Sequence, residues 1–289
     1  MNELFFEPQT TQYGSHMVMT NVHKTNKTKY INIDTRFREE YNYLQTSNYN
    51  ITLPERITDV KNMRVVSAEI PITFFNISSA LGNNYFYVDL KKITIPDGNY
   101  DTTTIITTIT TVFTNASITN LTCSLSGAFS KFTASSGTPT IYFAVNIDGT
   151  PDKFNFKSKL GWLLGFRNPT YKFSTNITSE GLIDLNGPRY LYLAIEEFNK
   201  GNQSSFVPAL YSSLLNKNII ARISLNKATH DFGKILPTNN FNGLLLSDTR
   251  SYTGKIDLLK LNIQLLNENG IPINLNGMDF SCCLEVIHE

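Results

Sequence analysis

The sequence predicts a mainly β protein: an antiparallel β-sandwich with a small α+β insert and an extended N-terminal arm. Three observations lead there. The 289 residues include 32 Asn and 32 Thr, with 19 Phe and 14 Tyr, a composition that suits strands and turns better than helices. Apolar residues recur at every second position in seven or eight short stretches, the mark of half-buried strands. The links between them are rich in turn formers and do not alternate regularly with helical patterns, which argues against a parallel α/β sheet.

Residues 1–28 show no hydrophobic periodicity and read as an extended arm. Order is expected from about Lys29. Ile31 and Ile33 then share one face, followed by Tyr49, Ile51 and Leu53 against Asn48, Asn50 and Thr52. Val66, Ala68, Ile70 and Ile72 define the next strand, and Pro71 puts its end at an edge or a bulge because proline lacks the ladder donor. Tyr85–Leu90 is another strand. The turn at Ile95–Tyr100 leads to Asp101, a helix cap. Ile105, Ile106, Ile109, Val112 and Phe113 follow at helical spacing, despite the poor helix propensity of Thr and Ile. Short β segments are expected at Leu121–Leu125, Phe129–Thr133 and Thr140–Ile147, and a short apolar helix over Ser158–Phe166. Residues 96–166 thus form the α+β insert.

The strand pattern resumes after Pro188. Leu191, Leu193 and Ile195 share a face, as do Ile219, Ala221, Ile223 and Leu225. Leu259, Leu261, Ile263 and Leu265 oppose Lys260, Asn262 and Gln264. Asn267–Gly270 is a turn with an Asn-Gly pair suited to positive φ. In the last strand Met278, Phe280, Cys282, Leu284 and Val286 face one way. Asp279, Ser281, Cys283 and Glu285 face the other.

Chemistry is sparse. A net charge of +1, with only 17% charged residues, does not suit a protein that coats nucleic acid. No apolar run reaches about 18 residues, and no secretory leader is visible. The three cysteines, Cys123, Cys282 and Cys283, form neither a disulfide framework nor a zinc motif. His230-Asp231 is the one pair resembling a base and its orienter, with no nucleophile motif beside it. Glu196 and Glu197 point to opposite strand faces and cannot serve one substrate together. Gly161 and Gly165 read as close-packing positions. His23, Lys24, Lys27, Lys29, Arg36 and Arg38 cluster at the base of the arm, but Asp34, Glu39 and Glu40 offset them. No catalytic, cofactor or metal residue is predicted, which favours a structural or binding role. The Asn, Thr and Tyr side chains leave a glycan-binding, lectin-like sandwich as the alternative.

Several segments in order carry a resemblance: Lys29–Arg38, Val60–Pro71, Asn83–Phe86, Ile95–Tyr100, Leu163–Phe166, Tyr252–Leu261 and Leu275–Ser281. Together they resemble the minor capsid and penton-type proteins of large nucleocytoplasmic DNA viruses (giant viruses). The resemblance implies a single jelly-roll-like sandwich and a structural virion protein of an icosahedral capsid, without enzymatic activity. It points first to the penton at five-fold vertices. A minor capsid protein lying under or between capsomers is the alternative. It implies synthesis in the host cytoplasm and location in the capsid. The implied partners are further copies in a homopentamer, the major capsid protein and other minor capsid proteins. A host-surface glycan or the inner membrane are further candidates, and no specific nucleic acid is implied. On this reading residues 96–166 project outward and residues 1–28 tie the subunit to its neighbours.

Overall fold

The structure, a computed structural model, describes residues 25–38, 42, 46–198, 218–225 and 231–289. The expected arm lies outside these, except that its last residues enter the first strand. β1 (Lys27–Asp34) begins two residues earlier than the periodicity suggested, because Lys27 and Thr28 pair with His288 and Ile287. β2 (Asn48–Pro71) is one 24-residue strand that joins the two stretches read separately in the sequence. It bends at Asp59, whose φ is 55°, a conformation seldom held outside glycine. β3 (Tyr85–Val88) and β4 (Lys91–Thr94) precede α1 (Thr102–Asn115).

The helix forms against the propensity of its residues for identifiable reasons. Asp101 accepts from the N–H of Thr103 and Thr104, and the Thr104 hydroxyl accepts from the Asp101 N–H, a reciprocal cap. Ile105, Ile109 and Phe113 are fully buried on one face. The hydroxyls of Thr107, Thr110, Thr111 and Thr114 each donate to the carbonyl four residues back, a pattern that satisfies them within the helix.

β5 (Leu121–Ser126), β6 (Phe129–Ala134) and β7 (Thr140–Tyr142) follow. β7 stops well short of Ile147 because the chain turns over Asn146–Gly149, where Gly149 N–H donates to Asn146 O. The helix expected over Ser158–Phe166 shrinks to a 3-10 turn and α2 (Leu160–Leu163). Gly165, at φ 93°, ends it. β8 (Thr170–Lys172) and β9 (Asn176–Thr178) complete two small sheets, β4-β3-β7-β8 and β5-β6-β9. The core these sheets share with α1 draws on residues from Ile77 to Leu185. It runs past both ends of the 96–166 stretch, since β3, β4, β8 and β9 lie outside that stretch and are needed to close its sheets.

β10 (Tyr190–Glu196), β11 (Ile219–Ser224), β12 (Ile235–Asn239), β13 (Leu245–Ser247), β14 (Arg250–Leu266) and β15 (Ser281–His288) join β1 and β2 in the main sheet. Its order is β1-β15-β2-β14-β10-β11-β13, with β12 also on β2, and every pairing is antiparallel. Residues 60–71 of β2 pair with β15 along one edge and with β12 and the start of β14 along the other, whereas residues 48–57 pair with β14 alone. One strand thus serves two layers. Their inward residues, such as Leu284 and Val65 in one layer and Leu193 and Leu261 in the other, meet in a single core. The Val65 N–H donates to Ser247 Oγ at 3.0 Å, which draws the far end of the sheet back toward β2. The result is a curled half-barrel, the form in which the expected jelly-roll-like sandwich is realised.

Three local expectations change. Leu258, not Leu259, is fully buried, because the register slips between Leu258 and Lys260. Ile219 leaves the face it was expected to share with Ala221 and Ile223. A register shift at Leu193/Ala194 turns Ile219 toward Tyr192, Ala194 and Leu266, and Ile220 takes the main core position. In the 267–270 turn only Gly270 has positive φ, at 76°. Pro71 behaves as expected: it ends β2 two residues beyond Glu69, the last residue paired with β15.

Candidate functional site

The chain leaves the main sheet after Phe74 and returns at Pro188, and the two strands of this neck are tied by one side chain. Asn76 Nδ2 donates to Tyr100 O at 2.7 Å and to Leu185 O at 2.6 Å, and Asn76 Oδ1 accepts from Tyr100 N–H at 3.0 Å. Asn76 is buried, so it is held as a structural hub. Beside it lies a cleft of about 530 Å³ between the second core and the main sheet.

The cleft is polar and aromatic. The half-buried Trp162 is covered by the Arg167 guanidinium at 4.1 Å from the ring centroid and met edge-on by Phe156. Arg189 Nη2 pairs with Asp184 Oδ2 at 2.9 Å. The Arg189 N–H donates to Glu268 Oε2 at 3.3 Å. Burial pushes the Glu268 carboxyl above the usual carboxylate range, against that hydrogen bond. Such a surface offers donors, acceptors and ring faces for a polyhydroxyl or peptide ligand. Of its described lining residues, Ser158 donates its hydroxyl to Asn155 O. Among the described residues no group of three or more His, Cys, Asp or Glu side chains is placed to hold a metal ion. No helix among them is long and apolar enough to cross a membrane.

The residues singled out in the sequence are dispersed. Asp231 is exposed and pairs with Lys234 at 3.3 Å, while His230 lies outside the described residues. Glu196 is exposed and Glu197 buried, on opposite faces as expected. Glu197 Oε1 accepts from Arg250 Nη1 and from the Tyr252 hydroxyl, both at 2.5 Å. Arg250 also donates to Ile195 O and Asn218 O. This buried cluster fastens the start of β14 to the ends of β10 and β11, and its partners are 53 and 55 residues from Glu197, too distant for sequence spacing to reveal.

Of the basic cluster, Lys27 is exposed. Lys29 pairs with Glu55, Arg36 with Asp34, and the buried Arg38 with Asp279, whereas His23 and Lys24 lie outside the described residues. Gly161 is packed as expected: an added Cβ would lie 2.2 Å from Phe143 Cγ. At Gly165 it would lie 2.1 Å from Gly181 O. Burial pushes the Cys123 and Cys282 thiols up to about 12, and Cys283, half-buried, is raised less. The inward and outward environments of Cys282 and Cys283 match the alternation read from the sequence.

The chain matches no family model and no curated protein. Among solved structures it is similar to the mavirus penton protein, with 8% identity over 91% of this chain and 99% of that chain, at a TM-score of 0.38. It is also similar to a chain of the Sputnik virophage, with 13% identity over 90% of this chain and 98% of that chain, at a TM-score of 0.39.

Proposed function

We propose that the chain is a non-enzymatic structural protein of an icosahedral capsid, and that its position is the penton at the five-fold vertices. One observation supports this most. Four of the seven segments that carry the sequence resemblance fall on adjacent strands of the main sheet: Lys29–Arg38 on β1, Val60–Pro71 on β2, Tyr252–Leu261 on β14 and Leu275–Ser281 leading into β15. Segments more than 200 residues apart in the chain become one contiguous framework, as expected of a fold-defining resemblance and not of scattered coincidence. Tight subunit packing suits a low-charge, aromatic-rich surface, and a sandwich that presents the same two sides to its neighbours can close a ring.

Cryo-electron microscopy of particles bearing the tagged chain tests this. The expected result is density for the chain at the vertices, in rings of five. Density elsewhere in the shell would leave a capsid role and remove the penton assignment. Absence from particles would remove both.

The Trp162 cleft favours a second reading, in which the surface also binds a glycan. A glycan array on the intact chain checks it. Binding that Arg167→Ala and Arg189→Ala both abolish would support that reading, and an empty array would remove it.

A further inference from the structure

Two strand edges of the half-barrel have no partner among the described residues, and they face each other. β1 pairs only with β15. Residues 48–57 of β2 pair only with β14. Between these edges runs a groove of about 540 Å³ that opens onto the main core. Ile31 and Ile51 line it half-exposed, above the buried Ile33, Leu53 and Ile57. One ion pair, Lys29–Glu55, spans it, and Tyr30 and Phe37 stand exposed beside it. An unpaired edge over an apolar floor is a template for an added strand: the backbone pairs while alternate side chains enter the groove.

The chain itself supplies a suitable strand. Of residues 1–24, the longest stretch free of Gly, Pro and acidic side chains is Ser15–Lys24. Within it, Met17–Val22 mixes the β-branched Val18, Thr20 and Val22 with adaptable methionines. Its own groove is poorly placed to receive it. Asn26 Oδ1 accepts from Lys61 Nζ at 2.9 Å, so the side chain just before β1 is held on the β2 side of β15, away from the free edge of β1. No glycine or proline lies between Ser15 and Lys27 to reverse it sharply.

We propose that the groove between β1 and residues 48–57 of β2 takes residues 17–22 from a second copy of this chain, so that copies are joined by exchanged strands. The proposal does not depend on the capsid reading. A monomeric chain would leave that reading open, and absence from particles would leave the groove measurement intact.

The test uses the full chain. Sedimentation should show concentration-dependent self-association, weakened at least tenfold by Ile51→Glu, with the melting temperature measured to show that the variant folds. Separately, full-length chains carrying one cysteine each at positions 17 to 22 are mixed with a full-length Ile51→Cys chain and oxidised, with each single variant alone as control. A disulfide between chains, strongest at alternate positions, is expected. Three results would overturn the proposal: a chain monomeric at all concentrations, an Ile51→Glu variant that folds and associates like the parent, or a Val18→Cys/Ile51→Cys chain that closes only on itself at high dilution.

Discussion

Arg250 shows how much one side chain can organise. Its guanidinium is buried and pairs with the carboxylate of Glu197, itself buried. Arg250→Ala breaks this buried, hydrogen-bonded ion pair from one side, so it should cost about 3–5 kcal/mol in urea unfolding, and replacing both members with apolar residues far less. Asp152 gives a pH-dependent case. Burial pushes its carboxyl up, but hydrogen bonds from Asn155 and Phe154 and the nearby Lys159 outweigh this and hold it below the usual aspartate range. A lowered folded-state pKa contributes stability that is complete above the unfolded value, about 3.9, and disappears as pH falls through the folded value. Asp152→Asn should therefore be less stable than the parent at neutral pH. The gap should close on acidification, as read by melting temperature across a pH series. Neither role was visible in the sequence. Glu197 could be assigned a face from its place in a strand, but its partner was not legible.

At the scale of elements, periodicity reports burial and is blind to register. Ile51 and Leu53 were legible because an uninterrupted strand repeats every two residues. Leu259 misleads because the slip beside Leu258 inverts the faces, and Ile219 for the same reason at the β10–β11 shift. Continuity of β2 was hidden by Pro54 and the polar run to Asp59, which in sequence resemble a break. α1 is the opposite case, where spacing and cap outweigh composition. Its N-terminus rests on Asp101, so Asp101→Ala should lower stability by about 1 kcal/mol, measurable by thermal unfolding. Thr104→Ala, which removes the reciprocal bond, should cost less. The Trp162 cleft was illegible for another reason: its walls come from elements that meet only when the second core docks on the main sheet.

At the scale of the molecule, two cores share one chain. Phe132 sits at the centre of the second, with ring centroids 6.3 Å from Phe86, 6.1 Å from Phe113, 6.3 Å from Phe143 and 5.5 Å from Phe166. Phe132→Ala should cost about 3–5 kcal/mol. Hydrogen exchange should quicken over residues 77–185 before it does in β1, β2, β14 and β15, as expected if the cores open as separate units. Equal acceleration in both would show one cooperative body.

The pairing of β1 with β15 also sets an order of events during synthesis. β1 ends at Asp34, and its one strand partner among the described residues begins at Ser281. At ~5–20 residues per second, a ribosome takes roughly 10–50 seconds to make the intervening chain. The second core, complete by about residue 185, can fold while β1 and the whole of β2 still wait with open edges. In a cell making many copies at once, that interval is when a nascent chain is most exposed to pairing with the wrong neighbour, and when a chaperone would have most to protect.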